Sequence, residues 1–407
     1  MSTHSARVAQ LDRASVFETE GCRFEPRRAR LPHSARRACF VAVEDALRST
    51  SDEALARAVA QLSDLYTTSR AALVRDQSSP THLAAKCEYF LASDAPKVGY
   101  ALDAAAARSA HFHRLAQLPV VRITDFGAGV GATSVGFLAW LGSAREKSAP
   151  PTQRVRVEIH AVELGCAAAR AYERSVRTAA AHCGFDLALH LDTRDFFAVE
   201  CKETDLILCQ TAVNELLLEE VHAERTIALV RSWAQRAPLV IIEPALKFTT
   251  RALMQLRNAL LTSGGVHAVA PCLHQGSCPM LARTGDWCHE ARDTERTPRV
   301  IEIDRLVARR DHRALYAYLA TAPGVAPTQP SGVTMRVSTD TLGSRGKSER
   351  LVCRSDGEMR VMRLLDRETR ENNAAFLSAA RGVVMEVNPL PANDRIAPDA
   401  SVTVISV

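Results

Sequence analysis

The chain is poor in lysine. Only six of its 51 basic residues are lysine, and the other 45 are arginine. That bias is first one of base composition, and only secondarily a guanidinium surface for phosphates. It lacks any apolar run near the ~20 residues a membrane helix needs. The N-terminus, MSTHSARVAQLDRAS, lacks the apolar stretch of a secretory leader. Eleven cysteines without such a leader point to the cytoplasm, where clustered cysteines are more often ligands than disulfides. There is also no C-x2-C pair, the usual knuckle of a zinc ribbon.

What is present suffices for a large core. The 407 residues are 47% hydrophobic and 24% charged, which suits two to three folded domains. The net charge is +5, but residues 1–38 hold eight arginines against four acids. The rest of the chain is close to neutral, so no global basic field argues for nucleic acid. Residues 1–38 have no apolar periodicity and are expected to be a disordered tail or a misassigned start.

From 39 to 117 alanine, leucine and arginine recur at helical spacing, predicting a helical N-terminal region. The rhythm then changes. LPVVRITDFGAGVGATSVGFLAWL (118–141) reads as strand, glycine turn and helix, followed by a linker over 142–153. VRVEIHAVEL, LALHLDT, DLILCQ and PLVIIEP read as further strands separated by helices. That alternation predicts an α/β fold with a doubly wound parallel sheet over 118–265. A cysteine-rich loop and helix are expected at 266–330. VTMRVST, RLVCR, RVMRLL, VVMEV and SVTVISV predict a small β module at 331–407.

Asp125-Phe-Gly127-Ala-Gly129-Val-Gly131 follows the first strand and opens a helix. Glycines there let the backbone approach a ligand, and the helix N-terminus offers N–H groups. Glu163 ends the second strand, where an acid can accept both ribose hydroxyls. The acid before the first glycine resembles the D/E-x-G-x-G-x-G turn of class I, Rossmann-like S-adenosylmethionine-dependent methyltransferases. That resemblance implies that Asp125 positions the amino-acid part of the cofactor through backbone and water contacts. It also implies that Glu163 holds the ribose and that Asp195 sits by the adenine. Asn214, Glu215 and Glu243 end the fourth and fifth strands and are the pocket candidates. No Asn-Pro-Pro-Tyr motif is present, and no catalytic residue is assigned.

Cys272, Cys278 and Cys288 fall within 17 residues, in a loop punctuated by glycine and proline. Cys353 is the next cysteine. Four thiolates suit tetrahedral zinc or an iron–sulfur cluster, and the loose spacing favours the cluster. His274 and His289 keep a mixed zinc site open.

These motifs together resemble the methyltransferase-like small-ribosomal-subunit assembly proteins of mitochondria and their bacterial relatives. The resemblance runs from about residue 85 to the end. It rests on TDFGAGVGA, DLILCQTAVNELLLEE, LVIIEPALKFTTRALMQLRNALL, APCLHQGSCP and DWCHEAR. It implies a 4Fe-4S cluster on Cys272, Cys278, Cys288 and Cys353, and association with small-subunit rRNA. Ala245-Leu246 stand where the family shows Gly-Thr, Leu273 where it shows proline, and Glu290 where it shows phenylalanine. Residues 331–370 carry nine basic residues against six acids, a modest excess, and the resemblance implies that this face and the cluster loop hold rRNA.

Overall fold

The β-branched run VVRITDF forms strand β1 (Val120–Phe126), whose last four residues are buried. β2 (Arg156–Val162) and β3 (Asp186–Asp192) follow, then β4 (Leu206–Gln210), which is buried throughout. A strand covered on both faces reads as an unbroken apolar run, as LILC does. The computed structural model describes residues 35–68, 79–148, 154–217, 220–309, 312–326 and 332–406. It divides into two units.

The first unit takes in residues up to 100, 115–210 and 293–314. β1 pairs in parallel with β2 and β4, and β2 with β3, giving the order β3-β2-β1-β4. Helices α1 (Ala35–Leu47) and α2 (Asp52–Thr68) precede this sheet. α3 (Ala132–Ser148) follows β1 and α4 (Cys166–His182) follows β2. α1 packs on α3 and α4 through one stripe, Cys39, Phe40, Val43 and Leu47.

Two expected boundaries are corrected. Residues 35–38 belong to α1 rather than to a tail; residues 1–34 lie outside the described residues. The expected linker at 142–148 is the last part of α3, and 149–153 lie outside the described residues. The helical N-terminal region is also completed from far along the chain. The helix Pro298–Leu306 buries Val300 and Ile303 against Leu55, Val59, Leu62 and Tyr89. Arg299 fixes it by ion pairs to Glu88 at 2.7 Å and Asp52 at 2.8 Å.

The second unit takes in 101–114, 211–292 and 315–407. It holds α5 (Glu220–Arg236), β5 (Leu239–Pro244), α6 (Lys247–Thr262) and β6 (Val266–Ala270). β7 (Glu290–Arg292) pairs with β8 (Ala314–Pro323), and β8 runs antiparallel to both β5 and β6. A parallel half in the order 3-2-1-4 and an antiparallel strand inserted between β5 and β6 make this a class I, Rossmann-like methyltransferase fold.

Past residue 331 come β9 (Thr334–Val337), β10 (Leu342–Ser344), β11 (Lys347–Arg354) and β12 (Met359–Leu365), then β13 (Val384–Asn388) and β14 (Ser401–Ser406). They form one antiparallel sheet around a core that includes Met335, Val352, Met362, Phe376 and Met385. Among the described residues, no helix is long and apolar enough to cross a membrane.

Candidate functional site

The glycine turn joins β1 to α3 in the first unit. Gly127, Gly129 and Gly131 have φ of +67°, +53° and +102°, the left-handed region that glycine tolerates. Their surroundings separate their roles. A Cβ at Gly131 would run into Ser175 Oγ and press within 3.3 Å of Tyr172 and Val176, so this glycine serves the packing of α4. A Cβ at Gly129 would meet nothing within 4 Å, so this one faces open space.

Glu163 stands beside that space. Its carboxylate accepts the Gly129 N–H at 2.8 Å through one oxygen and the Gly165 N–H at 2.8 Å through the other. Its own N–H donates to the Asp192 carbonyl at 2.9 Å, which ties it to the end of β3. Asp125 is fully buried and turned inward. One oxygen accepts the Ser134 hydroxyl at 2.6 Å; the other, Oδ1, has no partner. Burial pushes this carboxyl up to about 7, with the Ser134 hydroxyl opposing and Glu163 adding to the rise. Its side chain thus anchors α3, and any part in ligand binding falls to its backbone. Asp195 is exposed and caps the turn Phe196–Ala198 by accepting the Phe197 N–H at 2.8 Å. The structure thus sets the three glycines and Glu163 around one turn.

In the second unit Asn214 and Glu243 are buried against each other. The Asn214 N–H donates to Glu243 Oε1 at 3.0 Å, and its side-chain amide donates to Oε2. The pair joins the ends of two chain segments, and Glu215 beside it is exposed.

The four cysteines converge within this second unit. Cys272, Cys278, Cys288 and Cys353 line one cavity of about 50 Å³, several times the space that one water needs. Burial pushes the Cys278 thiol up to about 11, and the Cys288 and Cys272 sulfurs add to the rise. Cys288 and Cys353 are raised by burial as well, and each senses other sulfurs of the set. Thiols that raise one another in a buried cavity are a donor set that a metal would discharge as thiolates. Thiolates 2.3 Å from a single tetrahedral zinc stand about 3.8 Å apart. Among the described residues, the one trio of His, Cys, Asp or Glu donors mutually within 4.8 Å lies elsewhere, so no three of these sulfurs come that close. The four thiols around this cavity could hold a metal ion or a cluster.

Residues that the sequence did not mark hold this loop. Arg257 of α6 donates to the His274 carbonyl at 2.6 Å and to the Gly276 carbonyl. Asn258 accepts the Cys278 N–H at 3.0 Å, and Arg108 donates to the Cys272 carbonyl at 2.9 Å. Arg336 lies opposite Cys353 in the β9–β11 register and pairs with Glu290. Arg257 and Asn258 are neighbours on α6, and the signal that could have found them is a polar pair in a largely apolar stretch of helix before a cysteine loop. His274 and His289 line the cavity. Burial lowers both to about 4, helped by Arg257 at His274 and by Arg381 at His289, so both are neutral at pH 7. The expected basic face of the β module is smaller than its sequence suggests. Arg336, Arg350 and Arg354 are buried on internal partners, which leaves Arg345, Arg360, Arg363, Arg367 and Arg370 exposed.

Solved methyltransferases resemble the chain weakly. The plantazolicin methyltransferase BpumL in complex with SAH is 10% identical over 70% of this chain and 99% of that one, at a TM-score of 0.28. The glycopeptide N-methyltransferase MtfA complexed with sinefungin is 18% identical over 30% of this chain, at a TM-score of 0.21. The chain spans 43% of MtfA. A precorrin-6y C5,15-methyltransferase from Geobacter metallireducens GS-15 is 14% identical over 50% of this chain and 80% of that one, at 0.27. At these scores the likenesses add nothing to the topology above. No curated protein matches. A family described as mitochondrial small ribosomal subunit Rsm22 matches residues 162–382, a stretch that includes Glu163, Asp195 and all four cysteines. The match takes in more than half of the sequence, and the chain belongs to the Rsm22 family of the small ribosomal subunit.

Proposed function

We propose that the chain binds S-adenosylmethionine at the Asp125–Gly131 turn and serves maturation of the small ribosomal subunit. Family membership supports the ribosomal part. The observation that carries the cofactor part is the open face of Gly129 beside the Glu163 carboxylate, 2.8 Å from the Gly129 N–H. Gly127 and Gly129 would admit the cofactor's amino-acid part close to the backbone. Glu163 would exchange the Gly129 N–H for the ribose hydroxyls, and Asp195 would stand near the adenine. The cofactor supplies an activated methyl group; the protein's task is to orient an acceptor and exclude water.

Cys272, Cys278, Cys288 and Cys353 would hold a 4Fe-4S cluster, with Arg336 and Arg108 offsetting its negative charge. The exposed arginines of the β module would face rRNA. The small subunit is assembled in more than one compartment, and the mitochondrial description of the family stands against a purely cytoplasmic protein.

A second reading, assembly without methyl transfer, is favoured by the Asn214–Glu243 pair. Both side chains are committed to each other, so they offer a poor acceptor site. Gly129→Asp separates the two. It should abolish cofactor binding in calorimetry while co-sedimentation with small-subunit precursors persists. If maturation is then restored in depleted cells, methyl transfer is dispensable. Full cofactor affinity in Gly129→Asp would remove the proposed pocket.

A further inference from the structure

We propose a site for a divalent transition metal built by His160, His190 and Asp192, on the β2–β3 edge of the first unit. No part of the cofactor or cluster reading is needed for it. His160 of β2 lies directly opposite His190 of β3 in the parallel register. Asp192 stands two residues beyond His190 and so projects from the same face of the strand. One donor atom from each of the three lies within 4.8 Å of the others. His160 Nε2 is 3.8 Å from Asp192 Oδ2.

His160 supplies the observation that points to a ligand. It is buried, and neither ring nitrogen has a hydrogen-bond partner. A buried imidazole with both nitrogens unsatisfied is a costly arrangement. Its ring is 5.0 Å from that of His190, so two imidazoles converge beside the Asp192 carboxylate, with both His160 nitrogens unpartnered. A metal would take the electron pair of one His160 nitrogen. Tetrahedral donors at 2.0–2.1 Å from zinc stand about 3.4 Å apart, so a small contraction completes the set. His190 is exposed and free to make it, and its exposure leaves a fourth position to water.

The neighbours select the class of metal. Arg194 already holds Asp192 through both oxygens, at 2.6 Å to Oδ2 and 2.9 Å to Oδ1, and Lys202 acts on His160. A site with one carboxylate, already held by Arg194, disfavours magnesium or calcium, which depend on oxygen ligands. Zinc, nickel and copper, which prefer imidazole, fit.

Zinc can also enter the cysteine cavity, so the test separates the two. Full-length protein is dialysed anaerobically against zinc, and zinc is counted by elemental analysis. The wild type should hold one zinc equivalent that survives Cys272→Ser. His190→Ala changes an exposed side chain, so it should fold, and it should weaken this zinc by at least ~10-fold. Asp192→Asn should do the same. Arg194→Ala frees the carboxylate and should tighten binding. The proposal is overturned if His190→Ala keeps wild-type zinc affinity, or if all bound zinc disappears with the cysteine variant.

Discussion

The Arg336 guanidinium lies 3.6 Å from the Cys288 sulfur. It also pairs with Glu290, and both side chains are buried. A buried acid at that position requires its arginine. Arg336→Met should therefore cost about 3–5 kcal/mol of stability, because Glu290 loses its strongest partner and is left with Arg292 at 3.2 Å and the weaker pull of Arg381. The double variant Arg336→Met/Glu290→Phe should recover most of that loss. Denaturant unfolding of both proteins checks this, and equal instability of single and double variants would reject the pairing.

Anaerobically isolated protein should be brown, with a broad absorbance near ~400 nm as iron–sulfur proteins show. Cys272→Ser, Cys278→Ser, Cys288→Ser and Cys353→Ser should each remove the colour. Cys209→Ser and Cys183→Ser should keep it, since neither lines the cavity. A colourless protein with one zinc and no acid-labile sulfide would assign the cavity to zinc.

Gly129→Ala and Gly131→Ala should behave differently although both sit at positive φ. Gly131→Ala forces Cβ into Ser175 and should destabilise the fold by ~1–3 kcal/mol beyond the backbone strain. Gly129→Ala carries the strain alone and should mainly weaken S-adenosylmethionine binding. Thermal unfolding and calorimetry of the two variants separate these effects. Similar unfolding losses in both would show that the two glycines share one role.

Asp125 should lower stability as pH rises. In the unfolded chain its carboxyl ionises near the ordinary 3.8, whereas burial lifts it to about 7 in the fold. Between these values the folded protein binds the extra proton, so its stability falls as pH rises through the window. Above about 7 the full penalty persists. Asp125→Asn removes this contribution, so its stability relative to wild type should improve from pH 4 to pH 7 and then level off. A constant difference across that range would place the titration elsewhere.

The local rules served well where one segment does one job. The glycine turn, its strand and its helix are contiguous, and β4 and β5 are buried apolar runs of low ambiguity, whereas β6 fell inside the expected cysteine-rich loop. The cysteine quartet was legible because thiols are rare and their chemistry is specific. Three things were not. The α3 helix ran through GSAREKS to Ser148, because solvent-exposed helix and loop have similar compositions. The helix Pro298–Leu306 belongs with α2, more than two hundred residues earlier, and nothing in its own pattern names that partner. Strand β8 was missed because an antiparallel insertion follows no alternation of strand and helix.

Sequence alone determined which residues are candidates for chemistry here: the glycines of the turn, the acids at the ends of β1 and β2, and the four thiols. It did so because backbone freedom, charge and metal affinity belong to residue types and short spacings. Only the tertiary structure decided how they are used. It turned Asp125 into the interior, opened Gly129 while filling the space at Gly131, and locked Asn214 onto Glu243. It also buried Arg336 among the cysteines and set His160 across from His190. Each of these depends on contacts between segments tens to hundreds of residues apart, and such contacts arise from packing the whole chain rather than from any local pattern.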